Sequence, residues 1–200
     1  MFGDFTHSND PFFLFDQWFM EASASEINDP NAMGLATVDS EGLPDLRVVL
    51  LKGHDTRGFV LYTNTQSAKG RDLAANPKAA LNFHWKSLRR QVRIRGGLTQ
   101  VSPQEADEYY HSRPRDSQLG AWASQQSRPL DTRETLVKAV DDLRIKHAEQ
   151  EIPRPPHWTG FRLSPVSIEF WQDGEFRLHD RMVFKRENNE FEWSKQRLYP

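Results

Sequence analysis

The feature that most limits what this chain can fold into is a succession of short apolar or alternating segments, each closed by turn-forming residues. Residues 33–38 and 45–52 are two such segments joined by Ser40-Glu41-Gly42, which makes a hairpin with a short loop. Residues 58–63, the apolar and aromatic run 79–85 and the alternating run 90–101 read as three further strands. Late strands follow at 161–163, 167–171 and 181–185, with residues 191–193 as a closing partner across Asn188-Asn189. Strands in hairpin order, with helices inserted between them, predict an antiparallel barrel with added helices, a mainly β, α+β architecture. Neither G-x-G-x-x-G nor G-x-x-x-x-G-K-[ST] occurs, so a dinucleotide fold or a phosphate-binding P-loop has no support.

The helices announce themselves by their caps. Asp10 followed by Pro11 is an N-cap with proline at the first helical position, and Phe12, Phe15, Phe19 and Ala22 then recur at helical spacing with Leu14 and Trp18 alongside. A short helix at 67–75 stops at Asn76-Pro77, and the capping box Ser102-Pro103-Gln104-Glu105 starts another that runs to about 112. Asp131 with Glu134 opens a further helix, carrying Leu136, Ala139, Val140 and Leu143 on one face. The proline-rich stretch 151–156 serves as an extended connector. The expectation is one domain over 1–200, with an N-terminal helix at 11–25 and C-terminal strands at 161–200 packed on it.

Composition narrows the function classes. With 37% hydrophobic and 27% charged residues among 200, the chain reads as globular and excludes collagen, coiled coil and disorder. The absence of cysteine excludes disulfides, thiol nucleophiles and cysteine metal sites, and suits a reducing, cytoplasmic setting. A formal charge of −2 gives no global field for nucleic acid or anionic lipid, so any anion site is local. No segment approaches the ~18 apolar residues of a membrane helix, and no signal peptide is expected.

Four constellations carry possible chemistry. The first is Arg47-Val48-Val49-Leu50-Leu51-Lys52, a strand of buried composition with a cation at each end, followed by Tyr62, Thr63, Ser67 and Lys69. Cations, hydroxyls and a helix start beside an apolar strand suit a phosphate on a planar cofactor. The plainer alternative makes Arg47 and Lys52 solvated strand ends. The second is the run 89–95, whose period of two puts Gln91, Arg93 and Arg95 on one face, a solvated or interface-facing strand more than a nucleic-acid strip, with Gln91 able to donate to a heterocycle.

The third constellation, 109–127, crowds arginines, hydroxyls and aromatics, and Tyr109, Arg113 and Ser117 at spacings of four converge on an anion if the segment is helical across Pro114. Alternatively, Arg113 and Arg115 pair with Asp116 and Glu108. The fourth, 168–181, reads as strand, turn and returning strand. There Arg177, His179 and Arg181 share a face, and like charge crowds the histidine unless anions are met. Histidine spacing matches no metal motif, and no metal is expected.

In order along the chain, R-V-V-L-L-K at 47–52, Y-T-N at 62–64, R-R-Q-V-R at 89–93, S-R-P-R-D-S-Q-L-G-A-W-A-S at 112–124, P-R-P-P-H-W at 153–158, E-F-W-Q at 169–172 and R-L-H-D-R at 177–181 together resemble the bacterial pyridoxine/pyridoxamine 5′-phosphate oxidase family. The resemblance runs from about residue 10 to 200. It implies an FMN-binding split barrel that forms a homodimer, with FMN at the subunit interface. It further implies FMN contacts at Arg47, Val48, Val49, Leu50, Leu51, Lys52, Tyr62, Thr63, Lys69, Gln91, Gln126, Ser127, Trp171 and Arg181. The substrate phosphate falls to Lys52, Tyr109, Arg113 and Ser117, and the reacting end to Arg177, Leu178 and His179, with Arg177 and His179 catalytic.

The implied reaction oxidises pyridoxamine 5′-phosphate or pyridoxine 5′-phosphate to pyridoxal 5′-phosphate, passing a hydride to the flavin and reducing O2 to H2O2. One departure from the family pattern is Ala68, where many members carry arginine before the phosphate-binding lysine. A second is the absence, upstream of Asp10, of the basic segment that closes over substrate in some members. The alternatives are a split-barrel flavin protein with a different substrate and a non-catalytic nucleic-acid module.

Overall fold

The computed structural model describes residues 5–148, 150–187 and 192–200. Among these residues nine strands form one antiparallel sheet: β1 (Ala32–Val38), β2 (Pro44–Leu50), β3 (Gly53–Asp55), β4 (Gly58–Asn64), β5 (Lys78–Trp85), β6 (Arg90–Gln100), β7 (Trp158–Gln172), β8 (Asp180–Lys185) and β9 (Ser194–Leu198). Their order is β2-β1-β5-β6-β7-β4-β3, with β8 added to β7 and β9 to β8. The sheet branches at β7. Along one side it pairs with β6 from Phe161 to Gln172; on the other its first half pairs with β4 and its second half with β8.

β7 corrects the expectation of separate strands at 161–163 and 167–171. The two are one strand because Pro165, which has no amide to donate, sits at a bulge where the β6 register shifts between Arg95 and Gly96. Gly96 makes the close approach possible, since a Cβ there would lie 2.0 Å from the Ser164 carbonyl oxygen. β2 corrects a second expectation. Its apolar residues read as buried, yet Leu46 and Val48 are 67% and 73% exposed, because β2 is the sheet edge and its outer face has no covering element among the described residues. At the C-terminus the strand paired to β8 is β9, beyond the expected 191–193; Phe191 and Asn188-Asn189 lie outside the described residues.

Helix α1 (Pro11–Ser25) starts where its cap predicts, the Asp10 carboxylate accepting from the amides of Phe12 and Phe13. It buries Phe12, Leu14, Phe15, Trp18 and Ala22 against the inner sheet face, where Phe59, Phe83, Ile94 and Phe170 form the main core. Helix α2 (Ala68–Ala75) is capped by Ser67, and α3 (Pro103–Ser112) by Ser102. Helix α4 (Arg115–Ala123) follows after a two-residue elbow. Helix α5 (Arg133–His147) begins one residue later than expected, capped by Thr132, whose hydroxyl accepts from the Thr135 amide. Its Val140 and Leu143 pack on a second cluster of Tyr110, Leu119, Ile152 and Trp158, so the connector 151–156 is anchored by a buried Ile152.

Candidate active site

One cluster forms where α3, α4 and the start of β7 meet. Tyr62 of β4 stacks on Tyr109 of α3 with centroids 3.9 Å apart, and on Trp158 at 5.2 Å. The Arg113 guanidinium lies 4.9 Å from the Trp158 ring. Arg113 stands at the elbow, because Pro114 ends helical continuity; Tyr109, Arg113 and Ser117 therefore do not share one helix as their spacing allowed. The elbow is fixed by the buried Gln118, whose side-chain amide donates to the Arg113 carbonyl at 2.8 Å, while the Tyr110 hydroxyl donates to the Gln118 carbonyl at 2.9 Å.

Arg113 Nη1 is buried with no hydrogen-bond partner. Burial pulls this guanidinium below its ordinary pKa, the mark of a cation short of compensating charge. The alternative pairings fail: Arg115 donates to the carbonyls of Ala148 and Gln150, Asp116 pairs with Arg144, and Glu108 accepts from Gln104. Leaving a charged donor buried and unpaired costs about 1–3 kcal/mol or more, which an anion would offset. Ser117 is half-buried on the first turn of α4, and the Lys52 side chain is exposed just beyond β2.

A second cationic group lies where α2 meets β1 and β2. Lys69 is only 8% exposed, and among the described residues it makes no ion pair. Burial, then the neighbouring Arg47, lowers its pKa. Arg47 is not a solvated strand end: it pairs with Asp45 and, at 3.5 Å, with Asp72, and donates to Thr37 Oγ1. Nearby, the buried Thr63 donates to Gln126 Oε1 at 3.4 Å, and Ser127 adopts a left-handed φ of 69°.

The far end of β7 carries the third group. Trp171 is paired with Gln91 across β6 and with Arg181 across β8, and its ring lies 4.7 Å from that of His179. Glu169, buried, accepts from Arg181 Nε at 2.9 Å and also pairs with Arg93; Arg181 Nη1 donates to the Tyr199 carbonyl at 2.9 Å. The returning strand is shorter than expected. Residues Glu175–Arg177 form a 3-10 turn with φ of 56° at Phe176 and 64° at Arg177, so Arg177 does not share a pleated face with His179 and Arg181. The like-charge crowding expected at His179 is also absent, since its nearest charge is Asp173 at 3.1 Å and Arg181 is held by Glu169. Arg177 and Leu178 are exposed, and a cavity of about 550 Å³ is lined by Arg89, Trp171, Asp173, Arg177 and His179.

Trp158 and Trp171 are separated by about 43 Å of strand at roughly 3.3 Å per residue, so within one chain the Arg113 cluster and the His179 cavity lie at opposite ends of β7. Between them the outer sheet face runs from Leu46, Val48 and Leu50 over the small residues Ala32, Gly34 and Ala36 to Arg93. On that face Asn82 has a buried Oδ1 without a partner. Sequence reasoning missed Trp158, Glu169 and Asp173 as site residues. The available signal was an acid or aromatic at each strand end that opposes a cation.

These features define a split-barrel protein with separated cationic half-sites for anionic ligands. The family model for pyridoxamine 5′-phosphate oxidase matches residues 19–147, and that for the pyridoxine 5′-phosphate oxidase C-terminal dimerisation region matches 158–200. The chain belongs to the pyridoxamine 5′-phosphate oxidase family. It is 65% identical over 198 residues to the pyridoxine/pyridoxamine 5′-phosphate oxidase of Azorhizobium caulinodans, covering 99% of this chain and 93% of that protein. It is 61% identical to that of Rhizobium meliloti, with 99% and 96% covered. A solved structure of PhzG from Burkholderia lata, in complex with tetrahydrophenazine-1-carboxylic acid, matches with a TM-score of 0.90 at 30% identity, over 97% of this chain and 94% of that one. No helix among the described residues is long and apolar enough to cross a membrane.

Proposed function

We propose that this protein oxidises pyridoxamine 5′-phosphate and pyridoxine 5′-phosphate to pyridoxal 5′-phosphate, using FMN and O2 and releasing H2O2, in a cytoplasmic homodimer whose sites each draw on both chains. The observation that carries this reading is the buried, unpartnered Arg113 nitrogen within an aromatic stack. It suits the phosphate of a planar substrate, in company with Lys52, Tyr109 and Ser117. A second chain laid on the exposed face of β2 supplies what one chain separates, bringing its His179 cavity to the first chain's Arg113 cluster.

The residues present fit FMN. Lys69, buried without a carboxylate in contact, and Arg47 suit the cofactor phosphate near the start of α2, with Tyr62, Thr63, Gln126 and Ser127 beside them. Val48, Val49 and Leu50 of β2, with Leu51 just beyond it, would hold the flavin on one side, and Gln91, Trp171 and Arg181 of the other chain would hold it on the other. Bound FMN supplies the redox step, accepting a hydride equivalent from the substrate and returning it to O2. The phosphate contacts fix one end of the substrate, so that the carbon to be oxidised is presented in one orientation. His179 takes the proton from the substrate amine or alcohol, Arg177 orients that heteroatom, and Leu178 packs beside it. A second chain laid on the β2 face would exclude water from the reacting end.

The test is aerobic turnover of pyridoxamine 5′-phosphate by FMN-loaded protein, with pyridoxal 5′-phosphate and H2O2 formed in equal amounts. Flavin binding without turnover would favour a split-barrel flavoprotein with another substrate. Arg113→Ala is expected to raise KM for pyridoxamine 5′-phosphate about 10- to 150-fold, the equivalent of roughly 1.5–3 kcal/mol for one charge-assisted contact, while FMN affinity holds. A larger loss of FMN affinity than of substrate affinity would move Arg113 to the cofactor site.

Lys69 gives a pH signature. Its folded-state pKa is lowered by burial, so without ligand it loses its proton below the usual lysine range. Phosphate binding favours the charged form. FMN affinity should therefore fall as pH rises through that lowered value, approaching tenfold per pH unit for one coupled proton. Lys69→Arg, which stays charged, should remove this alkaline fall in FMN titrations. An unchanged alkaline profile in Lys69→Arg would take Lys69 out of the phosphate site.

A further inference from the structure

The Nδ1 atom of His179 meets two groups that make opposite demands. Asp173 Oδ1, 3.1 Å away, only accepts, and so requires a proton on Nδ1. The Gly174 backbone N–H, at 3.2 Å, only donates, and so requires Nδ1 to be bare. Both contacts come from the turn that leaves β7, so the ring is held in place either way. What differs is the nitrogen that carries the proton.

Asp173 is itself held in position. Its Oδ2 pairs with the Arg89 guanidinium, and its backbone N–H donates to the Arg89 carbonyl at 3.0 Å. The side chain is 17% exposed, so its charge is poorly screened from the ring. The Trp171 ring bounds the imidazole on another side, and His179 Nε2 has no hydrogen-bond partner among the described residues.

We propose that Asp173 is a positioning residue that keeps the proton on His179 Nδ1, leaving Nε2 as the bare nitrogen that deprotonates the substrate. This rests on the reading of His179 as the residue facing the reacting end of the substrate. In the step, the substrate N–H or O–H bond breaks, its electron pair stays on the heteroatom, and a new N–H bond forms at Nε2. The resulting imidazolium carries a proton on each nitrogen, and the Asp173 carboxylate balances its charge. Were Gly174 the partner of Nδ1, Nε2 would already hold the proton and could not accept another.

Nitrogen-15 NMR of histidine-labelled, FMN-loaded protein at mildly alkaline pH reads the tautomer, the His179 signals being assigned by their loss in His179→Ala. The wild type should show the Nδ1–H form. Asp173→Ala should shift to Nε2–H and lower kcat roughly 10- to 100-fold, with KM for pyridoxamine 5′-phosphate and FMN affinity changed by no more than about twofold. Asp173→Asn, isosteric with the native residue and able to donate to Nδ1, should give the same shift in a protein that keeps the turn. An Nε2–H tautomer in the wild type, or undiminished kcat in both Asp173 variants, would overturn the proposal. Undiminished kcat in His179→Ala would instead overturn the reading of His179, while the tautomer result would still report what Asp173 does to the ring.

Discussion

His179→Ala is expected to lower kcat by about 100-fold or more while the protein stays yellow, because it removes a proton acceptor at the reacting end and no cofactor contact. Arg181→Ala should behave in the opposite sense. Loss of one charge-assisted contact predicts FMN affinity weaker by roughly 10- to 150-fold, with activity recovered in excess FMN by mass action. Arg181 is set for this role by Glu169 and the Tyr199 carbonyl, which engage Nε and Nη1 and hold the guanidinium plane beside Trp171. Flavin titration beside steady-state kinetics separates the two outcomes. Flavin lost from His179→Ala and retained by Arg181→Ala would reverse the assignment of roles at this end of β7.

The second large effect is complementation between two crippled chains. Arg113→Ala damages one end of β7 and His179→Ala the other, and each homodimer carries the same lesion in both of its sites. If every site takes its Arg113 cluster from one chain and its His179 cavity from the partner, a mixed dimer has one doubly damaged site and one intact site. Random re-pairing makes half of the dimers mixed, so activity at low substrate should rise to about a quarter of the wild-type value. The measurement is activity after co-unfolding and refolding of equal amounts, or after co-expression with two affinity tags. Activity that stays at the mean of the two parents would show that each chain builds its own site, and the separation of the two clusters along β7 would then need another explanation.

Much of the architecture was legible from local chemistry. The Asp10 and Ser102 caps form as their side chains predict, and the alternation in β6 puts Val92 and Ile94 into the core and Gln91, Arg93 and Arg95 outside. The segments that hold Arg113, Lys69 and His179 were equally visible as clusters of charge. Partners were harder to read. Arg47, for which a solvated strand end was the plainer alternative, is paired with Asp72, while Arg113, for which pairing with Asp116 or Glu108 was the alternative, has a buried nitrogen with no partner.

What the sequence determined by itself were features set within about four residues: helix starts, the hairpin at 40–42 and the two faces of each strand. Caps and periodicity act at that range, so the chain states them wherever it later folds. Tertiary structure alone decided that 158–172 is one strand, because only the shifted register of β6 makes a bulge where Pro165 costs no ladder bond. It decided that β2 is an exposed edge, because burial depends on which strands lie beside it. It also decided the company of His179, because positive φ at Phe176 and Arg177 turns the chain back and sets the ring against Asp173. Those outcomes depend on groups brought together from distant parts of the sheet or by a rare backbone conformation, and neither is encoded in residue spacing.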